Sequence, residues 1–239
     1  MSYLFDPVYF VEDSDTVKMG FTTAIGGVNP LWGFNLGENT AEPIDEVKRN
    51  REKYRDILGR TLEYAFADQV HGSDVAIVEE GGKVPNVDGL VTSRRNLVLN
   101  IQTADCMGIM AHDNQNGVIG AFHAGWRGTA GRIAPKGIEK MLEMGADLKH
   151  LFVYFNPAIK VQDYEVGEEL LDFFPESSFE RKEGKLFFNL EKENMRQLEQ
   201  IGVRHIRSNF HSTYSEKNLF SYRRDGDNAG RFLNFIYLT

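Results

Sequence analysis

Apolar positions along the chain fall into short alternating or continuous runs, with four stretches of helical spacing set among them. Strict alternation marks a half-buried strand and a 3.6-residue period marks an amphipathic helix. Val8–Val11 and Val17–Thr23 read as two strands across an acidic turn. Ile44–Leu58 predicts a helix with Ile44, Val47, Tyr54 and Leu58 inward and Gly59 as its stop. Tyr64, Phe66 and Asp68-Gln69-Val70 form a strand that closes on His71-Gly72, Val75–Val78 forms the next, and Glu79–Lys83 reads as a turn. Further helices are predicted over Gly131–Gly145, over Glu165–Phe174 and over Asn189–Gly202, the last with an Asn cap. Pro135 suits the first turn of its helix better than the middle. Leu151–Phe155, Leu186–Phe188, Val203–Arg207 and Arg231–Leu238 supply the later strands. Strands in runs with helices between them predict an α+β fold of one domain over residues 1–239.

The chain is organised around residues 98–128. Leu97, Val98, Leu99 and Ile101 make an apolar run that meets the polar cluster Gln102-Thr103-Ala104-Asp105-Cys106, and Met107, Ile109 and Met110 resume it. Asp113–Gly117 is turn chemistry, because Asn and Gly tolerate positive φ. Val118–Phe122 returns as a second strand, ending at His123 and the small-residue turn Ala124–Gly128. The expectation is two strands joined by a hairpin, each delivering one metal-capable side chain to a common mouth. Ala24–Pro30 is a glycine-rich loop, but neither a Walker loop nor a dinucleotide fingerprint follows from it.

Composition narrows the function classes. A net charge of −8 without a local basic patch argues against a nucleic-acid backbone as partner. One cysteine makes no internal disulfide, which fits a reducing compartment. Residues 1–20 lack a basic segment followed by an apolar one, and no apolar run reaches membrane-spanning length. A cytoplasmic protein is expected; the oligomeric state is not legible.

Three side chains carry the chemistry. His71, Cys106 and His123 each end a predicted strand beside small or polar residues. Two imidazoles and a thiolate suit zinc, and also copper, and three protein ligands leave a fourth position open as catalytic zinc sites do. The same residues also suit a metal-free Cys106/His123 nucleophile–base pair, with Asp105 or His71 orienting the histidine. Residue types alone do not separate the two. His112, His150, His205 and His211 lie in turns, charged loops or near basic residues and are poorer candidates.

Gln69-Val70-His71-Gly72, Thr103-Ala104-Asp105-Cys106 and Phe122–Gly128 resemble the motifs of the laccase-domain purine nucleoside phosphorylase family, also known as polyphenol oxidase or peptidoglycan editing factor. Gly26-Gly27-Val28, Asn35-Leu36-Gly37, Asp88–Thr92, Tyr164–Gly167 and Ser221–Asp225 extend the resemblance over nearly the whole chain. It implies mixed sheets with outer helices, similar to the catalytic domain of cytotoxic necrotizing factor toxins, and Zn2+ on His71, Cys106 and His123. It implies phosphorolysis of adenosine, inosine, guanosine and methylthioadenosine, with deamination of adenosine. Copper-dependent phenol oxidation, and a Cys106 hydrolase or cell-wall precursor editing role, are the alternatives. Under this resemblance Arg127 and then Arg223 are candidates to hold phosphate, Asp105 to shuttle a proton, and Asn35 and Gln69 to bind substrate. The zinc deaminase pattern His-x-Glu with Pro-Cys-x-x-Cys is absent. Thr22-Thr23-Ala24 departs from the family's Thr-Thr-Arg, which removes a basic residue from the region expected to face the pocket. Asn156-Pro157 replaces a common Gly-Pro, and Ser212 stands where cysteine is frequent.

Overall fold

A computed structural model describes residues 4–239; the first three residues of the expected domain lie outside the described residues. The alternating runs resolve into two six-stranded mixed sheets packed face to face. The first sheet runs β1 (Val8–Asp13), β2 (Val17–Thr22), β15 (Phe232–Leu238), β7 (Leu97–Thr103), β3 (Glu63–Asp68) and β5 (Gly82–Pro85). The second runs β14 (His205–Ser208), β10 (Leu151–Phe155), β8 (Met107–Asp113), β9 (Val118–Ala124), β6 (Gly89–Thr92) and β4 (Val75–Ile77). A small antiparallel sheet of β11 (Glu165–Val166), β13 (Lys185–Phe188) and β12 (Phe179–Lys182) pairs with neither and packs through Phe188, Val166 and Phe179 on the apolar cluster of the second sheet.

Period-2 placement of apolar residues fills the layers. Leu97, Leu99 and Ile101 of β7 meet Leu90, Met110, Ile119 and Ala121 of the second sheet, and each buried Leu, Ile or Met contributes about 1.5–3 kcal/mol. The alternate residues of the first sheet, Val98 and Phe235 among them, pack on Tyr54 of α1 (Ile44–Leu58), whose hydroxyl donates to Asn100 Oδ1 at 2.7 Å. The outer face of the second sheet, with Ile109, Phe122 and Val153, is covered by α3 (Ile133–Glu143) and α4 (Leu190–Gln200) through Ile138, Met141 and Leu198. The order is helix, sheet, sheet, helices. An α+β architecture of mixed sheets with outer helices is therefore observed. No helix among the described residues is long and apolar enough to cross a membrane.

Several local expectations hold. Asn189 caps α4 by accepting from Lys192 N at 2.9 Å, Gly202 takes φ 96° just beyond its end, and Pro135 sits in the first turn of α3.

Others need correction. The apolar run from Leu97 to Met110 is not one strand: β7 belongs to the first sheet and β8 to the second, and residues 104–106 cross between them. The left-handed φ of 91° at Asp105 makes that crossing possible. Ala124–Gly128 is not only a turn, since α2 (Trp126–Ala130) starts within it, and Arg132 at φ 61° separates α2 from α3. Glu165–Phe174 is no α-helix: Glu165 and Val166 pair with Phe187 and Leu186, and Glu168–Asp172 makes only a 3₁₀ turn before Pro175. Glu79–Lys83 turns sooner than expected and passes into β5 at Gly82.

Candidate metal centre

Two of the crossings between the sheets, β3 to β4 and β7 to β8, lie at one end of the stack, and the end of β9 meets them there. His71 follows β3 on the passage from the first sheet to β4, and Cys106 closes the passage from β7 to β8. His123 is the penultimate residue of β9 and shares its inward face with Ile119 and Ala121. Their ligand atoms all lie within 4.8 Å of one another, the only such trio among the described residues. The His71 and His123 rings stand 4.9 Å apart at 79°. His71 is exposed, Cys106 half-buried and His123 buried.

One carboxylate organises both histidines. Asp88, fully buried just before β6, accepts N–H bonds from His71 at 3.0 Å through Oδ1 and from Val70 and Gly72 at 3.1 and 2.7 Å through Oδ2. The His123 ring reaches Asp88 Oδ1 through Nδ1 at 2.7 Å, and the His123 N–H donates to the Asp88 carbonyl at 2.7 Å. His71 holds φ 60°, which turns successive N–H groups of the loop toward the same carboxylate. Burial alone would raise the Asp88 carboxyl, but the His123 ring and the N–H groups of Gly72 and Val70 outweigh it and hold the acid below its ordinary value.

Electrostatics favour the ligating form of the thiol. Burial alone would push Cys106 up, yet the neighbouring His123 and His71 rings pull it below the usual thiol range. Burial would likewise lower His123, but the Cys106 thiolate and Asp88 raise it. Gly125 makes room for the sulfur, because a Cβ at that position would lie 2.8 Å from Cys106 Sγ. A thiol inclined to ionise, two imidazoles and a carboxylate on Nδ1 of one of them form a donor set that fits a divalent cation of borderline softness. The trio is able to bind a metal ion.

The trio opens on a cleft of about 580 Å³, within the size range of small-molecule sites. Gln69, Asp105 and Arg223 line it, and Asn35 and Arg127 do not. Gln69 is clamped to Gln102 by two bonds of 2.8 and 2.7 Å, using the backbone carbonyl and N–H. Asp105 accepts from the Thr213 hydroxyl and from Arg223 N, both at 2.6 Å, and makes no pair with Arg127. Arg223 donates to the Glu165 carbonyl at 2.8 Å and sits 5.4 Å over the Tyr164 ring. Asn35 is buried; its amide donates to Glu42 and Thr40 and its oxygen accepts from Gly37 and Arg231 N–H, so it holds the 35–42 turn. Arg127 is exposed on α2 and lies 4.3 Å over the Trp126 ring. Position 24 also lies outside the cleft lining; Ala24 packs beside the cluster of Phe21, Leu219 and Phe220.

Two residues escape sequence reasoning. Arg231 lines the cleft, donating through Nη1 to the carbonyls of Ala229 and Gly230 at 2.6 and 2.9 Å. In sequence it is one arginine before an apolar strand; only the pairing of Phe232 with Thr103 brings it to the mouth. Asp88 reads in sequence as the Asp of an Asp-Gly strand start, and its role appears only when residues 70–72 and 123 converge on it.

A sequence profile described as "Multi-copper polyphenol oxidoreductase laccase" matches residues 18–239. A Corynebacterium glutamicum protein named purine nucleoside phosphorylase is 33% identical, covering 93% of this chain and 94% of its own length. A protein from an unknown prokaryotic organism named adenosine deaminase RL5 is 30% identical over 95% of this chain and 96% of its own. A crystal structure of a Neisseria meningitidis protein superposes with a TM-score of 0.88 at 30% identity, covering 98% of this chain and 99% of that one. The sheet stack, the His71–Cys106–His123 trio and these likenesses lead to one conclusion: the chain belongs to the laccase-domain family, among whose members are proteins named purine nucleoside phosphorylase.

Proposed function

We propose that this protein is a zinc-dependent enzyme of purine nucleoside metabolism. It would cleave adenosine, inosine, guanosine and methylthioadenosine with phosphate, and deaminate adenosine. The observation that carries the reading is a metal-capable trio lining a nucleoside-sized cleft, in a chain whose relatives bear these two activities as names. Residues 1–239 would act as one domain in the cytoplasm.

His71, Cys106 and His123 would hold the zinc. A divalent cation there supplies Lewis acidity toward a substrate oxygen or a water. The chain's own residues supply the rest. Phosphorolysis requires phosphate to be held against C1′ while the bond to the purine breaks, and two cations of the cleft, Arg223 and Arg231, suit that anion. Both guanidinium groups are braced by backbone carbonyls, which fixes their reach. Asp105, anchored by Thr213 and the Arg223 N–H, would exchange a proton with the departing purine. Gln69, fixed by Gln102, would orient the substrate. Arg127 and Asn35 take no part, one being displayed on α2 and the other committed to its turn.

Phenol oxidation on several copper ions finds one cluster among the described residues where it needs several. A Cys106 hydrolase has a specific observation in its favour, since Cys106, His123 and Asp88 form a nucleophile–base–carboxylate chain. One experiment separates the readings: inosine is supplied with and without phosphate, and Cys106 is titrated with an alkylating agent before and after chelation. Phosphate-dependent release of hypoxanthine, with a thiol that reacts only after chelation, is the expected result. Phosphate-independent turnover with a thiol that alkylates at once would overturn the phosphorylase in favour of the hydrolase.

A further inference from the structure

Asp88 stands outside the ligand trio, yet it touches both histidines of that trio through different parts of the chain. Its Oδ1 takes the His71 N–H and the His123 ring, and its Oδ2 takes Val70 and Gly72. Three of the four partners are backbone N–H donors, which hold Asp88 as an acceptor-only carboxylate, and that places the proton of neutral His123 on Nδ1 and leaves Nε2 with its lone pair. The residue is completely buried, His123 is its only side-chain partner among the described residues, and it immediately precedes β6, a strand that contributes no ligand.

We infer that Asp88 is the positioning residue of the metal centre, setting the tautomer of His123 and the path of the His71 loop with one carboxylate. This rests on the metal reading of the trio. The geometry makes Asp88→Asn unusually informative. An amide keeps the shape but presents one NH2, and either orientation sets that NH2 against donors. Facing His123, it forces Nδ1 to accept and moves the ring proton to Nε2. Facing Val70 and Gly72, it deprives two N–H groups of their acceptor and releases the loop that carries His71. Both orientations damage the centre and spare the cleft walls, Arg223 and Arg231.

The test compares wild type and Asp88→Asn for zinc affinity by competition with a chromophoric chelator, alongside the melting temperature of the metal-free proteins. A 10- to 100-fold weaker zinc affinity is expected, the usual effect of losing such an outer carboxylate. Equal zinc affinity with a lowered melting temperature would reduce Asp88 to a loop latch and overturn the inference. Wild-type protein that takes up no zinc would overturn both the centre and this role for Asp88. A measurement free of any fold change is the nitrogen NMR spectrum of His123 in zinc-loaded wild type. A proton on Nδ1 is expected, and a proton on Nε2 would contradict the assignment.

Discussion

Cys106 is boxed in closely enough that a single methyl group next to it should be felt. A Cβ on residue 125 would lie 2.8 Å from the sulfur, inside van der Waals contact. Gly125→Ala should therefore displace the thiolate and lower zinc affinity at least tenfold, while overpacking costs about 1–3 kcal/mol of stability. Chelator competition and thermal melting check this, and unaltered affinity would mean that the sulfur has slack. At this scale the sequence is legible where chemistry is carried by rare residue types: His71, Cys106 and His123 stand out among polar neighbours at strand ends. It is illegible where a common residue acquires its role through distant partners. Asp88 needs residues 70–72 and 123 around it, and Arg231 needs Thr103 beside its strand. Asn35 misleads for the same reason, because an exposed-looking polar residue is in fact buried and saturated by Glu42, Thr40 and two N–H groups.

At the scale of elements, the β8–β9 hairpin that sets His123 is held by Asp113. Its carboxylate accepts from Gln115 N, Asn116 N and Asn116 Nδ2 at 3.0, 3.0 and 2.8 Å, and from Asp147 N at 2.8 Å in the segment after α3. Burial alone would raise this acid, but those donors, Asp147 N first, hold it below the ordinary carboxylate value. A depressed folded value contributes stability above the unfolded pKa of about 3.9, and that contribution is lost as the pH falls through the folded value. Asp113→Ala should cost about 2 kcal/mol or more at pH 7. Urea melts at pH 7 and pH 3 should show the gap between wild type and variant narrowing in acid; a constant gap would contradict the assignment. The Asp-Asn-Gln-Asn-Gly turn is readable because Asp and Asn favour turns and its Gly117 takes the positive φ of 66°. The change of sheet at residues 104–106 is not, since the polar cluster there reads as an interruption within one run and only Asp105 at φ 91° marks a passage between sheets. The strand β12 escaped because three of its four residues are exposed, which leaves no alternation to read.

At the scale of the whole molecule, the layers explain why the site lies where it does. Two sheets can share a core and still exchange strands only at their ends, so the crossings that carry His71 and Cys106 fall together beside the C-terminal end of β9. The α+β class followed from strands grouped in runs, whereas the order of strands depended on pairings between residues as distant as Asn234 and Phe21. A centre built from three separate passages of chain should stabilise all of them when filled: zinc at one hundred times its Kd adds about 2.7 kcal/mol. The most direct measurement is metal content by elemental analysis of untagged wild type and Cys106→Ala, followed by melting with and without chelator. A metal centre at this trio predicts near-stoichiometric zinc in wild type, a lower melting temperature after chelation, and neither property in Cys106→Ala. Wild-type protein free of bound metal after growth in zinc, with a melting temperature indifferent to chelator, would contradict it.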